Sequence, residues 1–251
     1  MIARTPGFRL SEMGILLAFD TSTDAMGIAL VLPGPRSLAR DLPGGPQASA
    51  ALIPALMGLL AGEGLALSQV DAIAFGCGPG AFTGLRTACS VAQGLAFGAG
   101  KPVLAVDSLM LVAEDARAQT GAAEVCVAMD ARMDEIYAGR YRWDGAAWQA
   151  TQAPALQTLE AFNAGLAQPT AVLAGSALAA FGERLAIPPQ ALQVPDPRSR
   201  AEALARLAAQ LWSQGRAVDA AHALPVYLRD KVAQTTVERE HDKALKAKVV
   251  A

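Results

Sequence analysis

The sequence predicts an α/β protein with mixed sheets, built from a duplicated βββαβα unit. Strand-length apolar runs alternate with longer helix-type runs over residues 15–119. The chain then starts again at 124–129, EVCVAM, with a second hairpin. The pattern Ala18-x-Asp20-x-x-x-Asp24 recurs as Ala128-x-Asp130-x-x-x-Asp134. Each copy ends an apolar strand in Asp, makes a short polar turn, and returns as an apolar strand, which points to an internal repeat.

The elements follow in order. Residues 15–20, ILLAFD, are a continuous apolar run and read as a buried strand. Residues 21–24, TSTD, are a polar turn; 25–32 form a second strand and 36–40 a third. The Pro/Gly cluster at 43–46 breaks the chain before an apolar helix at 48–61. Residues 70–75 are a strand, 76–80 a glycine-rich turn, 83–98 a helix, 103–106 a strand and 108–119 a helix. In the second half, 124–129 is a strand, 130–134 a turn and 135–143 a strand. Helices are expected at 157–166, 176–185 and 199–213, with a strand at 170–174. The organisation read from this is a disordered leader at 1–13, a first half at 14–118, a second half at 119–228 and a charged tail at 229–251. Met13 is the expected native start.

Composition limits the function. The 251 residues are 53% hydrophobic and 18% charged, which excludes a disordered chain. Lys+Arg total 21 against 23 Asp+Glu, a net charge of −2, and aromatics are 5%. Strong non-specific nucleic-acid binding by this chain alone is therefore disfavoured, for want of a basic field and of stacking platforms. Cys77, Cys89 and Cys126 form no C-x-x-C and read as buried small hydrophobes in a reducing compartment. Residues 1–13 hold Arg4, Arg9 and Glu12 and no apolar run, unlike a secretion signal. The uncharged stretch at 87–100 is shorter than the ~18–20 residues of a membrane span. A soluble cytoplasmic protein with no membrane contact is expected.

Three constellations stand out. Asp20, Thr21 and Ser22 end a buried strand at a sheet edge, where open α/β sheets bind ligands. Such a turn can hold phosphate oxygens, with the Asp on a cation; it also fits a hairpin whose side chains bond their own backbone. Asp130 and Asp134 are weaker candidates, because residues 131–133 offer no hydroxyl. The loop Gly76-Cys77-Gly78-Pro79-Gly80 leads into a helix, so Gly78 and Gly80 allow close approach of a ligand to the backbone. It lacks the G-K-[S/T] end of a P-loop and the G-x-G-x-x-G of a dinucleotide site; a tight strand-to-helix turn is the other reading. Finally, helix 83–98 carries small residues at Thr87, Ser90, Gly94 and Gly98, and helix 48–61 is apolar nearly all round. Packing of helix 83–98 on its own sheet is one reading; the other is close contact with another chain, with Leu52, Leu56, Leu59, Phe82, Leu85, Arg86, Ser90 and Gly94 as the expected partner-facing residues. The two histidines, His222 and His241, have no His partner four residues on, and there is no G-x-S-x-G. A histidine metal site and histidine-dependent hydrolase chemistry are therefore not expected.

The blocks ILLAFDTSTDAMGIAL, GCGPGAFTGLRTACSVAQGLAFG, VDSLMLVAE and MDARMDEIYAGRY resemble, in order over residues 15–142, the bacterial TsaB (YeaZ) family. PVYLRDKV at 225–232 resembles its C-terminal end. The resemblance implies an actin/sugar kinase/Hsp70 (ASKHA) fold of two RNase H-like halves. It implies a non-catalytic scaffold of TsaD in the formation of threonylcarbamoyladenosine (t6A) beside the anticodon of tRNAs. The ATPase TsaE joins them, tRNA is the substrate of the complex, and the isolated chain pairs with itself. Gln47 and Ala48 lie where TsaD's metal-binding histidine would be sought, and Ala81 replaces a serine of many relatives. No cofactor of its own is implied, and any ATP or ADP is expected at the partner interface. The alternatives are a free-standing nucleotide phosphohydrolase or kinase using Asp20, Thr21 and Ser22, and a metallopeptidase, which the missing histidine pair disfavours.

Overall fold

The computed structural model describes residues 14–168, 170–195 and 197–229. The expected leader at 1–13 and all but Arg229 of the expected tail lie outside the described residues. The first half runs β1 (Leu16–Asp20), β2 (Ala25–Val31), β3 (Ser37–Pro43), α1 (Ala48–Gly62), β4 (Ala72–Gly78), α2 (Phe82–Ala99), β5 (Val103–Asp107) and α3 (Ser108–Thr120). The second runs β6 (Glu124–Asp130), β7 (Glu135–Trp143), β8 (Trp148–Thr158), α4 (Leu159–Gly165), β9 (Val172–Ala174), α5 (Ala177–Phe181), β10 (Leu192–Val194) and α6 (Arg200–Ser213).

The sheet orders are β3-β2-β1-β4-β5 and β10-β9-β6-β7-β8. Reversing the second aligns β1 with β6, β2 with β7 and β3 with β8, and so on through the halves. In each sheet the first two strands are antiparallel, and the fourth pairs parallel with the first. The duplication is therefore real, and its unit is βββαβαβα, one strand and one helix longer than the shared unit read from the sequence.

Side-chain alternation along β1 sets the layers. Leu17 and Phe19 face α1 and α2, in a core with Leu52, Leu56, Leu59, Leu60, Ala88 and Ala92. Leu16 and Ala18 face the opposite way, with Ala29, Ala72 and Ala74, toward the last helices of both halves. Those small side chains let α6 approach closely; its alanines Ala203, Ala205 and Ala208 lie in the same core. The last helices are exchanged: α6 lies across β1, β2 and β3, while α3 leans mainly on β6, β7 and β9. On the far side of the second sheet, Cys126, Ala128 and Ile136 pack with Phe162, Leu178 and Phe181 of α4 and α5.

Two strands escape the sequence reading. β8 is an edge strand with exposed Gln149, Thr151 and Gln152 and an internal Pro154, so it lacks apolar alternation. β10 is three residues at the other edge. The helix expected at 176–185 stops at Phe181 and ends in a 3-10 turn, Gly182–Arg184. Residues 45–62 are long and apolar enough to cross a bilayer by length and composition, a stretch the sequence reading passed over. In this fold they hold α1, whose leucines pack on the first sheet.

Beyond α6 the chain returns to the first half. Val218 pairs with Val103 at the edge strand β5, and Ala220 and Ala223 are buried in the α1–α2 core.

Glu114, in α3, joins three elements. It is 1% exposed and accepts from Trp148 Nε1 in β8, Arg117 in α3 and Arg206 in α6. Burial alone would raise its pKa, but the bonds from Arg117, Trp148 and Arg206 outweigh that and lower it. The stability it contributes is thus complete above the ordinary carboxylate range and is lost as pH falls through its lowered folded pKa. The arginines are 29% and 39% exposed and can rehydrate. Glu114→Gln is therefore expected to cost about 2 kcal/mol at pH 7, below the ~3–5 of a fully buried pair. Urea unfolding should show that deficit shrinking toward pH 3; a pH-independent deficit would contradict the assignment.

Candidate functional site

The two hairpin turns face each other across a cleft of about 830 Å³, lined by Ser22, Asp24, Gly80, Ser108, Arg132 and Arg200 among others. Asp20 is wholly buried behind the lining residues Ser22, Ser108 and Arg200, to which it is hydrogen-bonded. Its Oδ1 accepts from Ser22 N (3.1 Å), Ser22 Oγ (2.7 Å) and Arg200 Nη2 (3.0 Å). Its Oδ2 accepts from Ser108 Oγ (2.7 Å). Arg200, 3% exposed, also donates to Ser22 Oγ (3.0 Å). Burial by itself would raise the Asp20 pKa; the Arg200 charge and the Ser108 and Ser22 bonds outweigh it and hold the carboxyl below its usual range.

The structure brings Asp20, Thr21, Ser22, Gly78 and Gly80 together, but it turns their polar groups on one another. Thr21 Oγ1 donates to Gly84 O (2.7 Å). Ala81 N donates to Ser22 O (2.8 Å) and Gly78 N to Ser108 Oγ (3.1 Å). The glycines follow from this packing: a Cβ at Gly76 would overlap the Asp20 carboxylate, and one at Gly84 would overlap Thr21 O. A cation at Asp20 would meet a guanidinium already in its place. Cys77, in the same loop, is inert as a nucleophile: burial, with the charges of Asp107 and Asp20, pushes its thiol up to about 12.

The second turn is different. Asp130 Oδ1 accepts from Arg132 N (2.8 Å), and Asp134 pairs with Arg184 (2.6 Å). Arg132, Met133 and Asp134 have φ of +62°, +57° and +64°. Left-handed backbone at non-glycine residues costs about 1–3 kcal/mol each and persists only where surroundings hold it. Arg132 also reaches Asp24 across the mouth of the cleft (3.4 Å). Among the described residues no group of three His, Cys, Asp or Glu stands close enough to hold a metal.

The partner-facing assignment from sequence needs correction. Leu52, Leu56, Leu59 and Leu85 are 2% exposed or less and belong to the chain's own core. A helix apolar on all sides gives periodicity nothing with which to orient it. The exposed face of α1 carries Ile53, Pro54 and Gly58 instead. On α2, Arg86, Ser90 and Gly94 are exposed and Phe82 is half-buried, and Phe97 and Gly98 join them. Ile53 is 44% and Phe97 62% exposed, and a Cβ on Gly58, Gly94 or Gly98 would meet nothing within 4 Å. The site residues missed by the sequence reading are thus Ile53 and Phe97, and also Arg200 and Ser108, which are distant in sequence from Asp20.

Comparison with known proteins finds one family throughout. The TsaD family profile, described as tRNA N6-adenosine threonylcarbamoyltransferase, matches residues 46–243. The tRNA threonylcarbamoyladenosine biosynthesis protein TsaB of Escherichia coli is 33% identical over 224 residues, 87% of this chain and 96% of that protein. The TsaB of Haemophilus influenzae is 44% identical over 122 residues, 49% of this chain and 51% of its own. The solved structure of YeaZ from Pseudomonas aeruginosa is 40% identical, with a TM-score of 0.76, over 86% of this chain and all of that one.

Two outcomes are expected in urea unfolding. Asp20→Asn and Arg200→Met should each cost about 3–5 kcal/mol, because each strands a buried partner; the double variant should cost at least ~1 kcal/mol less than their sum. Additive losses would mean the two residues do not act as a pair. Leu56→Ala should cost about 2–5 kcal/mol as a core truncation, whereas Phe97→Ala should stay within ~0.5 kcal/mol. Equal losses would contradict the division between core and face.

Proposed function

The chain belongs to the TsaB (YeaZ) family, and on that premise we propose that it serves as a non-catalytic docking partner of TsaD in the synthesis of threonylcarbamoyladenosine in tRNA. The observation that carries the reading is the exposed α1–α2 face. Ile53, Pro54, Gly58, Ser90, Gly94, Phe97 and Gly98 form a surface of apolar and small residues, with Arg86 near its end. Small residues at Gly58, Gly94 and Gly98 let a partner helix approach the backbone closely. The apolar area around Phe97 supplies the hydrophobic drive for association.

The same face supports a homodimer when TsaD is absent, so the two assemblies compete. A chain of net charge −2 lacks the basic field that would hold tRNA by itself; tRNA is proposed as the substrate of the whole complex. TsaE as a third component, ATP or ADP at the joint with the partner, and a cytoplasmic location belong to the same proposal and rest on the family resemblance. The buried free thiols Cys77, Cys89 and Cys126 suit a reducing compartment.

Turnover of a nucleotide by this chain alone is the weaker reading, because Arg200 already occupies the carboxylate that would hold the cation. ATP with magnesium should therefore be hydrolysed at background rate.

Gly94→Arg tests the docking reading. Gly94 has open space, and Arg is the better helix former by up to about 1 kcal/mol. The variant should fold with unchanged or slightly raised stability and fail to co-elute with TsaD in size-exclusion chromatography with light scattering. A heterodimer of undiminished affinity would overturn the assignment of the face.

A further inference from the structure

The last described residues run from one half of the molecule to the other. Ala223 O accepts from Cys89 Sγ (3.1 Å) and Gln93 Nε2 (3.0 Å) of α2. Val226 N donates to Cys77 O (2.7 Å) in the glycine loop. The Tyr227 ring packs on Phe82 with centroids 5.1 Å apart, and its hydroxyl accepts from Arg86 Nε (3.3 Å). Arg86 in turn lies 3.8 Å over the Phe82 ring. The contacts named so far are all with the first half.

Arg229 then crosses. Its Nη2 donates to Ala131 O (2.9 Å) and Arg132 O (3.3 Å), and its Nη1 pairs with Glu135 (2.7 Å). Ala131 and Glu135 flank the left-handed stretch 132–134, and Arg132 begins it. Arg229 thus donates to carbonyls of the turn that holds, among the described residues, the non-glycine positions of positive φ, a backbone that needs outside support. The span before it is only loosely held: Leu224, Val226 and Tyr227 are 66%, 42% and 41% exposed. A segment fixed by a few polar contacts, with little burial, opens locally at low cost.

We propose that residues 224–229 are a clasp. It ties the strained second turn to the N-terminal end of α2, so that closure of the cleft and the shape of the Phe82–Arg86 end of the partner-facing helix change together. Tyr227 and Arg229 are positioning residues in this scheme. Releasing either should loosen both anchor points, because they share one short span of chain. The consequence for TsaD rests on the functional reading above; the clasp itself does not.

Hydrogen exchange with mass-spectrometric readout on the full chain tests it. In Arg229→Ala, exchange should rise about tenfold, the equivalent of one lost charge-assisted contact, at 131–135 and also at 82–86. Tyr227→Ala should accelerate the same two stretches. Acceleration confined to each variant's own anchor would overturn the clasp. Arg229→Lys keeps a cation for Glu135 while losing the paired carbonyl contacts. It should accelerate both stretches in the same direction, and it serves where the alanine variant fails to fold. In a second arm, Arg229→Ala, which lies off the α1–α2 face, should weaken TsaD binding by about tenfold, and unchanged affinity would overturn the link to docking. If the unaltered chain does not bind TsaD, the functional reading fails and the exchange result alone decides the clasp.

Discussion

The buried pair of Asp20 and Arg200 is the constraint on which the rest of the structure turns. Asp20 ends the central strand of the first sheet, and Arg200 begins the last helix of the second half. Two charges taken out of water are costly unless their remaining hydrogen bonds are met. Here Ser22 and Ser108 meet those of the carboxylate. Holding Arg200 at that point commits α6 to the inner face of the first sheet, where the alanines of β1, β2 and β4 leave it room. The exchange of last helices between halves, and the cleft between the two turns, follow from that placement.

The same pair separates the chemistry of this chain from that of a nucleotide-handling enzyme. An aspartate at the end of such a strand is well placed for a cation, and in this molecule a guanidinium stands there. The backbone donors Gly78 N and Ala81 N are spent on Ser108 and Ser22. The outer face of α1 and α2 is open to other molecules, and there Phe97 and Ile53 stand in solvent beside glycines with nothing over them. A cleft whose Asp20 end is filled by the chain's own guanidinium and an open helical face fit membership of the TsaB family and a supporting role beside TsaD.

Much of this was legible in the sequence, for identifiable reasons. The first half shows through because its central strands are continuous apolar runs bounded by glycine and proline. The echo of Asp20 and Asp24 in Asp130 and Asp134 gave the duplication, since equivalent turns keep equivalent strand ends. β8 stayed hidden because an edge strand has little apolar pattern to show. Arg200 gives no local signal of its role, which arises only when residues 180 apart in sequence meet. Leu52 and Leu56 were misplaced on the partner face because α1 is apolar on every side, and only the packed structure shows which side the sheet covers. The contacts of Tyr227 and Arg229 had no sequence sign beyond the family trace at 225–232.

The most direct test of the docking account is a hydrogen-exchange footprint of this chain in saturating TsaD, read against the free chain. The account predicts protection concentrated in 49–62 and 82–98, with the second-half edge strand at 148–158 unchanged. Protection centred on 148–158, with α1 and α2 exchanging as in the free chain, would contradict it.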